Sequence, residues 1–305
     1  MMILRRLFKA VLAVVALLAL VACALQVGHS TDSTLPPREE GTLRVATHNV
    51  HYIWANRAEG AWSRADWASR APAMDAAFKA LDADIVAFQE MESFAGGNSD
   101  EENLARDYLL ARNPGYSAAA VGDWRSFPST QPIFYRSARL EQIDQGWFFF
   151  SDTPDVIYSR TFDGSYPAFA SWARFRDRDG GQSFTVMNLH YEYSSGSNRL
   201  KSAELTAERL GPRRAEGPVI LTGDLNARRG APTVEILAET GLRFLEVPGA
   251  TYHFDRGLNL FGAIDHIALS PELTLEAGPV TLQKRFAGEW PSDHYPVVAD
   301  IAFGS

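Results

Sequence analysis

The sequence has almost no cysteine and no excess of basic charge. Cys23 is the only cysteine among its 305 residues, so no disulfide can form within the chain. Its 29 Lys and Arg residues are outnumbered by 37 Asp and Glu residues, which gives a net charge of −8 at pH 7. This balance predicts no broad basic face and gives no support to strong non-specific binding of nucleic acid, although a local groove can still be positive.

The N-terminal apolar run is shorter than a membrane span. Val11 to Val21 is an uninterrupted apolar run of 11 residues, preceded by Arg5, Arg6 and Lys9. A spanning helix needs about 20 such residues, so the run is typical of the core of a signal peptide.

The run ends in Leu20-Val21-Ala22-Cys23, which resembles the lipobox of bacterial lipoproteins. In a lipobox the cysteine is lipidated and the chain is cut just before it. We therefore predict a signal peptide over 1–22, lipidation of Cys23, and an exported protein held by lipid at the periplasmic or outer surface of the cell envelope. The alternative is an ordinary signal peptide that is cut near Ala22 or Ala24.

The rest of the chain divides into a short linker and one large domain. Residues 24–41 are polar and without pattern, which predicts that 23–41 form a lipidated, flexible tether. No second linker, internal repeat or low-complexity tract follows. With 46% hydrophobic residues the chain can bury a large core, and we predict a single domain over 42–305, in monomeric form.

Strand-like and helix-like segments alternate along this domain. The clearest helix signal is an apolar face at spacings of four and three, formed by Trp67, Ala71, Met74, Phe78 and Leu81. Further helices are predicted over 103–111, 198–210 (closed by Gly211-Pro212) and 231–239. Strands are predicted at 43–47, 84–88, 132–135, 171–175, 184–189, 219–221, 264–269 and 295–302. This order predicts two β-sheets packed face to face with helices outside.

Six short polar motifs lie at the ends of these strand-like runs. They are Thr47-His48-Asn49-Val50, Phe88-Gln89-Glu90, Asn188-Leu189-His190, Gly223-Asp224-Leu225-Asn226, Ile264-Asp265-His266 and Ser292-Asp293-His294. Each one alone has an ordinary explanation as a turn, a cap or a half-buried histidine. Together they place carboxylates, amides and imidazoles where a scaffold holds reacting groups, and these are the groups that metal-assisted attack on phosphorus requires.

In this order the motifs resemble those of the endonuclease/exonuclease/phosphatase family over nearly all of the predicted domain. The resemblance implies an α+β fold, a four-layer αββα sandwich of two mixed β-sheets flanked by helices. It implies Glu90 and Asn49 as ligands of a Mg²⁺ or Mn²⁺ ion, with Asp293 as a further acid on the metal side.

The resemblance also implies catalytic roles. Asp224 and Asn226 would orient or deprotonate the attacking water, and His294 would contact the scissile phosphate with Asp265 fixing its tautomer. His190 matches a histidine of the deoxyribonuclease and sphingomyelinase branches that donates to a phosphate or leaving oxygen.

Three positions depart from the pattern or extend it. His51 stands where some relatives carry an acid, which leaves the ligand set on that side open. Gln131 stands where many relatives carry Glu or Asn, and Arg199 where relatives often carry Arg. For both, substrate contact and an ordinary structural role remain open.

We therefore predict a divalent-metal-dependent phosphodiester hydrolase of nuclease type, most simply an endonuclease. One alternative is a sphingomyelinase-like enzyme that acts on a phospholipid headgroup, which exposure of the aromatic run Trp147–Phe150 would support. The other is a non-catalytic binding protein of the envelope, against which the intact motif set argues.

Overall fold

A computed structural model of the chain describes residues 2–97 and 100–304. Within these residues the helices are α1 (Met2–Gly28), α2 (Arg64–Leu81), α3 (Leu104–Arg112), α4 (Gly196–Ala215) and α5 (Pro232–Ala238). The strands of the first half are β1 (Leu43–Asn49), β2 (Ile53–Trp54), β3 (Ile85–Gln89), β4 (Ser93–Phe94), β5 (Tyr116–Ala119), β6 (Ile133–Arg136) and β7 (Leu140–Phe149). Those of the second half are β8 (Phe169–Asp177), β9 (Ser183–His190), β10 (Val219–Asp224), β11 (Arg243–Phe244), β12 (Asp265–Leu269), β13 (Leu273–Thr281) and β14 (Val297–Phe303).

Twelve of these strands form two six-stranded mixed sheets. The first has the order β13-β14-β1-β3-β6-β5 and the second the order β11-β12-β10-β9-β8-β7, while β2 and β4 form a separate ribbon. In the first sheet β1 is parallel to β3 and antiparallel to β14. In the second, β10 is parallel to β9 and antiparallel to β12. The two sheets thus repeat the same central arrangement.

Three apolar clusters give the molecule its layers. The cluster between the sheets includes Val45, Ile85, Val186, Ile220 and Ile267, all of them buried. A second cluster lies between the first sheet and helices α2 and α3, and a third lies between the second sheet and helices α4 and α5. Strands β1 and β3 are buried along their whole length, as expected for strands of a sheet that is covered on both faces. The expected four-layer αββα sandwich is confirmed.

Helix α2 agrees most closely with its sequence pattern. All five residues of the predicted apolar face are buried. The side chain of Ser63, just before the helix, accepts a hydrogen bond from the Asp66 amide at 3.3 Å. Asp82 ends the helix in a left-handed conformation. The helix therefore begins and ends where local chemistry favours it.

Helix α4 is longer than predicted. It was expected to close at Gly211-Pro212, yet it continues to Ala215. The extra turn is held by its basic side chains, since Arg213 lies 4.2 Å from the centre of the Trp172 ring and Arg214 pairs with Glu272 at 3.3 Å. These contacts offset the helix hydrogen bond that is lost because Pro212 has no amide hydrogen.

The N-terminal helix is also longer than the 11-residue run indicated. Arg5–Gly28 has a mean hydropathy of 2.8 and is long and apolar enough to cross a membrane, a test that a signal sequence also passes. Cys23 lies on this helix and is exposed. The predicted boundaries at 22/23 and 41/42 stay predictions.

The sheet registers bring the polar motifs to one end of the sandwich. Asn49 pairs with Gln89 across β1 and β3, while Asp224 pairs with both His190 and Asp265 across the second sheet. The chain enters β14 at this same end, three residues after His294. Since the central strands of the two sheets face each other, all six motifs meet there.

Candidate active site

Asn49 links the two sheets at the centre of the site. Its Nδ2 donates to Glu90 Oε1 at 3.0 Å and to Asp224 Oδ2 at 3.1 Å, while its Oδ1 accepts from the His51 amide at 3.1 Å. Asn49 is buried, whereas the Glu90 side chain keeps 21% of its surface exposed. A carboxylate from the first sheet and one from the second therefore converge on one amide group, with Glu90 still open to solvent.

The Asp224 carboxylate is almost fully buried. Its Oδ1 accepts from the Asn226 amide at 2.9 Å, and its Oδ2 lies 3.7 Å from His294 Nε2 and 3.9 Å from His190 Nε2. The Asn226 side chain donates to the Tyr191 carbonyl at 2.9 Å, which turns the loop after β10 back onto β9. The motif Gly223-Asp224-Leu225-Asn226 thus aims one carboxylate at two histidines.

His294 and Asp265 form a buried pair. His294 Nδ1 lies 2.9 Å from Asp265 Oδ2, and the two side chains are 7% and 1% exposed. The His294 amide donates to Ser292 Oγ at 3.2 Å, and Ser292 Oγ donates to the Asn49 carbonyl at 2.7 Å. This arrangement leaves His294 Nε2 directed toward Asp224, so a ring nitrogen with a fixed orientation faces the carboxylate cluster.

His190 completes the inner ring of the site. Its Nε2 lies 3.5 Å from Glu90 Oε1. The hydroxyl of Tyr166, a residue in the loop before β8, lies 3.4 Å from the nitrogens of the same ring. His190 can therefore exchange a proton with a group bound between Glu90 and Tyr166.

Asp293 and His51 lie at the outer side of the cluster. Asp293 Oδ2 is 4.0 Å from His51 Nε2, and His51 Nδ1 lies 2.9 Å from the Tyr52 carbonyl. The His51 ring stacks on Trp62 with 3.6 Å between the ring centres. Because Nδ1 is directed at a carbonyl, it carries the proton in neutral His51, and Nε2 offers a lone pair on the side of Asp293.

A cleft of about 470 Å³ adjoins this outer side. His51, Asp293 and Tyr252 separate it from the inner cluster, and the Tyr252 ring centre lies 5.0 Å from that of His294. Aromatic and apolar side chains dominate its wall, with one cation among them. The lining residues are His51, Trp62, Tyr252, Phe254, Arg256, Leu258, Leu260 and Asp293.

Several site residues have strained backbone. His51, Glu90 and Asn226 have φ values of 51°, 56° and 46°, a region that residues other than glycine adopt at a cost. Gly223 has a φ of 139°, and a Cβ there would lie 2.0 Å from the Leu189 carbonyl oxygen. The chain holds these conformations where they direct side chains into the site, as functional sites often do.

Burial and neighbouring charges set the protonation states. Burial, together with the nearby Asp265, raises the pKa of Asp224 to about 6, against the lowering effect of His294 and His190. Burial acts to lower the pKa of His294, but Asp265 and Asp224 outweigh it, so this pKa lies well above its usual value. For Glu90, burial is outweighed by His190 and His51, which lower the pKa. An imidazolium at His294 and a carboxylate at Glu90 are therefore the states near neutral pH.

Two predicted substrate-binding residues make hydrogen bonds to the frame of the domain. Gln131 is buried between the sheets, where its Nε2 donates to the Phe169 carbonyl at 2.6 Å. Arg199 donates to the carbonyls of Glu192 and Tyr193 at 2.9 and 3.0 Å, which ties the start of α4 to the end of β9. These contacts give both residues a structural role, and substrate contact by either one stays a prediction.

The structure adds residues that the motifs do not mark. Arg70 of α2 is buried and donates to the carbonyls of Val50, His51 and Pro291 at 2.8–3.2 Å. It thereby joins the loop after β1 to the loop that carries His294. Its place on α2 gives no sign of this, because its partners are backbone carbonyls from distant segments. Tyr166 and Tyr252 lie in loops without any repeating pattern.

The donor set suits a hard divalent cation. Glu90 and Asp224 supply carboxylate oxygen atoms, and one oxygen of Asp265 is buried without a hydrogen-bond partner. Asn49 faces the two carboxylates with its Nδ2 and would offer its Oδ1 to an ion only after a turn of its amide group. Asp224, Asp265 and His294 also present ligand atoms within 4.8 Å of one another. However, Asp265 and His294 already bond to each other, and a cationic His294 repels a metal. The Glu90 side is therefore the better place for the ion.

Over residues 46–294 the sequence matches the profile of the endonuclease/exonuclease/phosphatase family. This chain belongs to that family. It is therefore a phosphoester hydrolase of the divalent-metal-dependent kind, as its motifs indicated. A comparison with curated proteins gives no match.

Solved structures agree in fold. One is a family member from Bacteroides thetaiotaomicron, with 27% identity and a TM-score of 0.69 over 87% of this chain and 98% of that one. Another is a mannosyl-6-phosphatase from the same species, with 27% identity and a TM-score of 0.68 over 86% of this chain and all (100%) of that one. A third is Danio rerio TDP2 with a single-strand DNA product, with 17% identity and a TM-score of 0.61 over 86% and 99%, which supports the fold alone.

Proposed function

We propose that this family member hydrolyses small phosphorylated substrates at the outer side of the cytoplasmic membrane, with Mg²⁺ or Mn²⁺ bound by Glu90 and Asn49. The observation that carries the substrate class is the cleft of about 470 Å³ beside His294. Its size lies in the range of small-molecule sites, and its aromatic wall suits the apolar face of a sugar or similar ring. The similarity to a mannosyl-6-phosphatase supports a phosphorylated sugar.

Each polar residue of the site then has a chemical task. A bound metal would supply charge neutralisation on the phosphoryl oxygens. Asp224 holds and deprotonates the attacking water, with its own orientation set by the Asn226 amide. His294 in its cationic form contacts the phosphoryl group, and Asp265 maintains that charge.

The leaving alkoxide needs a proton, and His190 is the side chain placed to supply it. Its ring is held between Tyr166 and Glu90 at 3.4 and 3.5 Å. Asp293 and His51 lie on the cleft side and orient either the ion or the substrate. Water is largely excluded from Asp224 and Asp265, which strengthens the electrostatic interactions of these carboxylates with His294.

A nuclease is the second candidate. It is favoured by His190, which matches a histidine of the deoxyribonuclease branch and lies within the site. The net charge of −8 and the aromatic cleft favour it less. The sphingomyelinase alternative loses its support from the aromatic run, since Phe148, Phe149 and Phe150 are all buried. Lipidation of Cys23 and a monomeric state remain part of the proposal.

The test compares substrates on the full chain. Mannose 6-phosphate, plasmid DNA, single-stranded DNA and sphingomyelin are incubated with Mg²⁺ or Mn²⁺, with EDTA blanks. We expect the sugar phosphate to be hydrolysed with the highest kcat/KM, and Phe254→Ala to raise its KM while the surface variant Arg243→Ala does not. Faster cleavage of DNA than of the sugar phosphate would replace this proposal with the nuclease.

A further inference from the structure

The segment Gln26–Thr31, directly after the apolar part of α1, lies against the loop that forms one wall of the cleft. We call residues 249–262 the cleft loop, because Tyr252, Phe254, Arg256, Leu258 and Leu260 all line the cleft. The loop contains no helix or strand of its own. Its shape therefore depends on contacts with other parts of the chain.

Gln26 holds the far side of this loop with both ends of its amide group. Its Nε2 donates to the Gly257 carbonyl at 3.1 Å, and its Oε1 accepts from the Asn259 amide at 2.8 Å. The Asn259 side chain is buried and donates to Ser30 Oγ at 3.0 Å. Loop residues 257 and 259 are thereby fixed to a segment more than 200 positions away in sequence.

His29 and Thr31 hold the near side. The His29 carbonyl accepts from the Ala250 amide and from Gln283 Nε2, each at 2.9 Å, and the Thr31 amide donates to Gln283 Oε1 at 2.8 Å. A Cβ on Gly249 would lie 2.7 Å from the His29 carbonyl oxygen, and Gly249 has a φ of 71°. The loop thus approaches the segment so closely that only glycine fits.

Residues 26–31 were expected to belong to a flexible tether, but these hydrogen bonds give them a defined place. Removing them would leave the backbone amides of Ala250 and Asn259 without their partners, and the Gln283 side chain would keep only its bonds to Ala250 and Asn259. Groups of this kind are rarely left unsatisfied in a folded protein. The segment therefore behaves as part of the domain and completes one wall of the site.

We propose that Gln26–Thr31 is a clamp that sets the shape of the substrate cleft and holds its mouth next to the membrane. The clamp begins three residues after Cys23, which is about 5 Å along a helix. Leu258, which is 41% exposed, adjoins the clamped residue Gly257 and places an exposed apolar side chain at the cleft. This inference rests on the proposed function for the identity of the cleft, and on the predicted anchoring for its location. It also requires that processing occur before Gln26.

The test uses the full chain in phospholipid vesicles, with Gln26→Ala beside the control Val27→Ala, whose side chain is 76% exposed. Amide hydrogen exchange is followed over residues 249–262. We expect exchange to rise about tenfold in Gln26→Ala and to stay unchanged in the control, because two hydrogen bonds of roughly a factor of three each are lost. With the preferred phosphoester, KM should rise while kcat changes less than about twofold, since the inner cluster is untouched.

Equal exchange in the two variants would overturn the clamp, and so would a mature N-terminus after Gln26 by mass spectrometry. Faster exchange with an unchanged KM would show that the segment does not shape the cleft.

A spin label at Leu258→Cys, in protein whose Cys23 is lipidated, should lose accessibility to a water-soluble relaxation agent in vesicles compared with detergent. An unchanged accessibility would refute the membrane-facing mouth. If the chain hydrolyses no phosphoester, the proposed function fails while the exchange measurement still decides the clamp.

Discussion

The pair formed by His294 and Asp265 offers the sharpest prediction. In Asp265→Asn the side chain keeps its shape, and its Oδ1 can still accept from His294 Nδ1, which lies 2.9 Å from Asp265 Oδ2. Only the negative charge is lost. The variant therefore separates the effect of the charge from the effect of the geometry.

The expected magnitude follows from the distance and the burial. Two unit charges about 4 Å apart interact with about 4 kcal/mol at an effective dielectric constant of about 20. Since Asp265 is the largest influence that raises the pKa of His294, its loss should bring that pKa down toward or below the usual value. The cationic form would then be scarce at neutral pH, and kcat should fall about 10³-fold.

The assay is the pH dependence of kcat and KM for the preferred phosphoester, measured with saturating Mg²⁺. In the wild type, activity should be lost only well above neutral pH, where His294 gives up its proton. In Asp265→Asn this alkaline limb should move to lower pH while KM changes less than about threefold. Asp179→Asn, at a side chain that is 78% exposed, is the control. A kcat within threefold of wild type and an unmoved alkaline limb would refute the charge pair.

Three further outcomes are expected. Glu90→Gln should weaken Mn²⁺ binding at least about tenfold by calorimetry, because a carboxylate that is 21% exposed and directed at the ion is neutralised; equal affinity would exclude Glu90 as a ligand. Gly223→Ala should lower the unfolding temperature by several degrees, since the new Cβ would lie 2.0 Å from the Leu189 carbonyl oxygen, and an unchanged midpoint would contradict the close packing of β9 and β10. Burial lowers the pKa of His48 to about 4, so between pH 6.5 and 4 the unfolded chain takes up a proton that the folded chain does not. His48→Gln should therefore lose about 2 kcal/mol less stability than wild type between pH 7 and 5 in urea unfolding, and identical losses would refute the assignment.

The inner site could be predicted from the sequence because its residues sit in short motifs at strand ends. Asp224 follows an apolar strand and a glycine, and His294 precedes another strand. The alternation of strand-like runs and short polar motifs along the chain was therefore sufficient to place both residues at strand ends. The sandwich followed from the same order of strands and helices. Edge strands such as β7 and β13 were missed, because their exposed faces and bulges interrupt the apolar pattern.

The rest of the site depends on contacts that no local pattern reveals. Arg70 reads as a polar residue of an amphipathic helix, yet it is buried under three carbonyls of two distant loops. The cleft loop has no periodicity, so Tyr252 and Phe254 could not be assigned to a wall. Gln131 stood next to a strand in the expected place, but the packing of the two sheets decides where its side chain points. Residues 24–41 looked like a tether because hydrogen bonds to a remote loop leave no trace in composition.

The central claim is that Glu90 and His294 act on a phosphoester together with a divalent cation. The most direct test is hydrolysis of bis(p-nitrophenyl) phosphate and p-nitrophenyl phosphate by the full chain, with Mg²⁺ or Mn²⁺ and with EDTA. His294→Ala and Glu90→Gln are measured beside the wild type and Asp179→Asn. The account predicts metal-dependent turnover that EDTA and both site variants abolish, with the control unaffected. Turnover that persists in EDTA or in both site variants would contradict it.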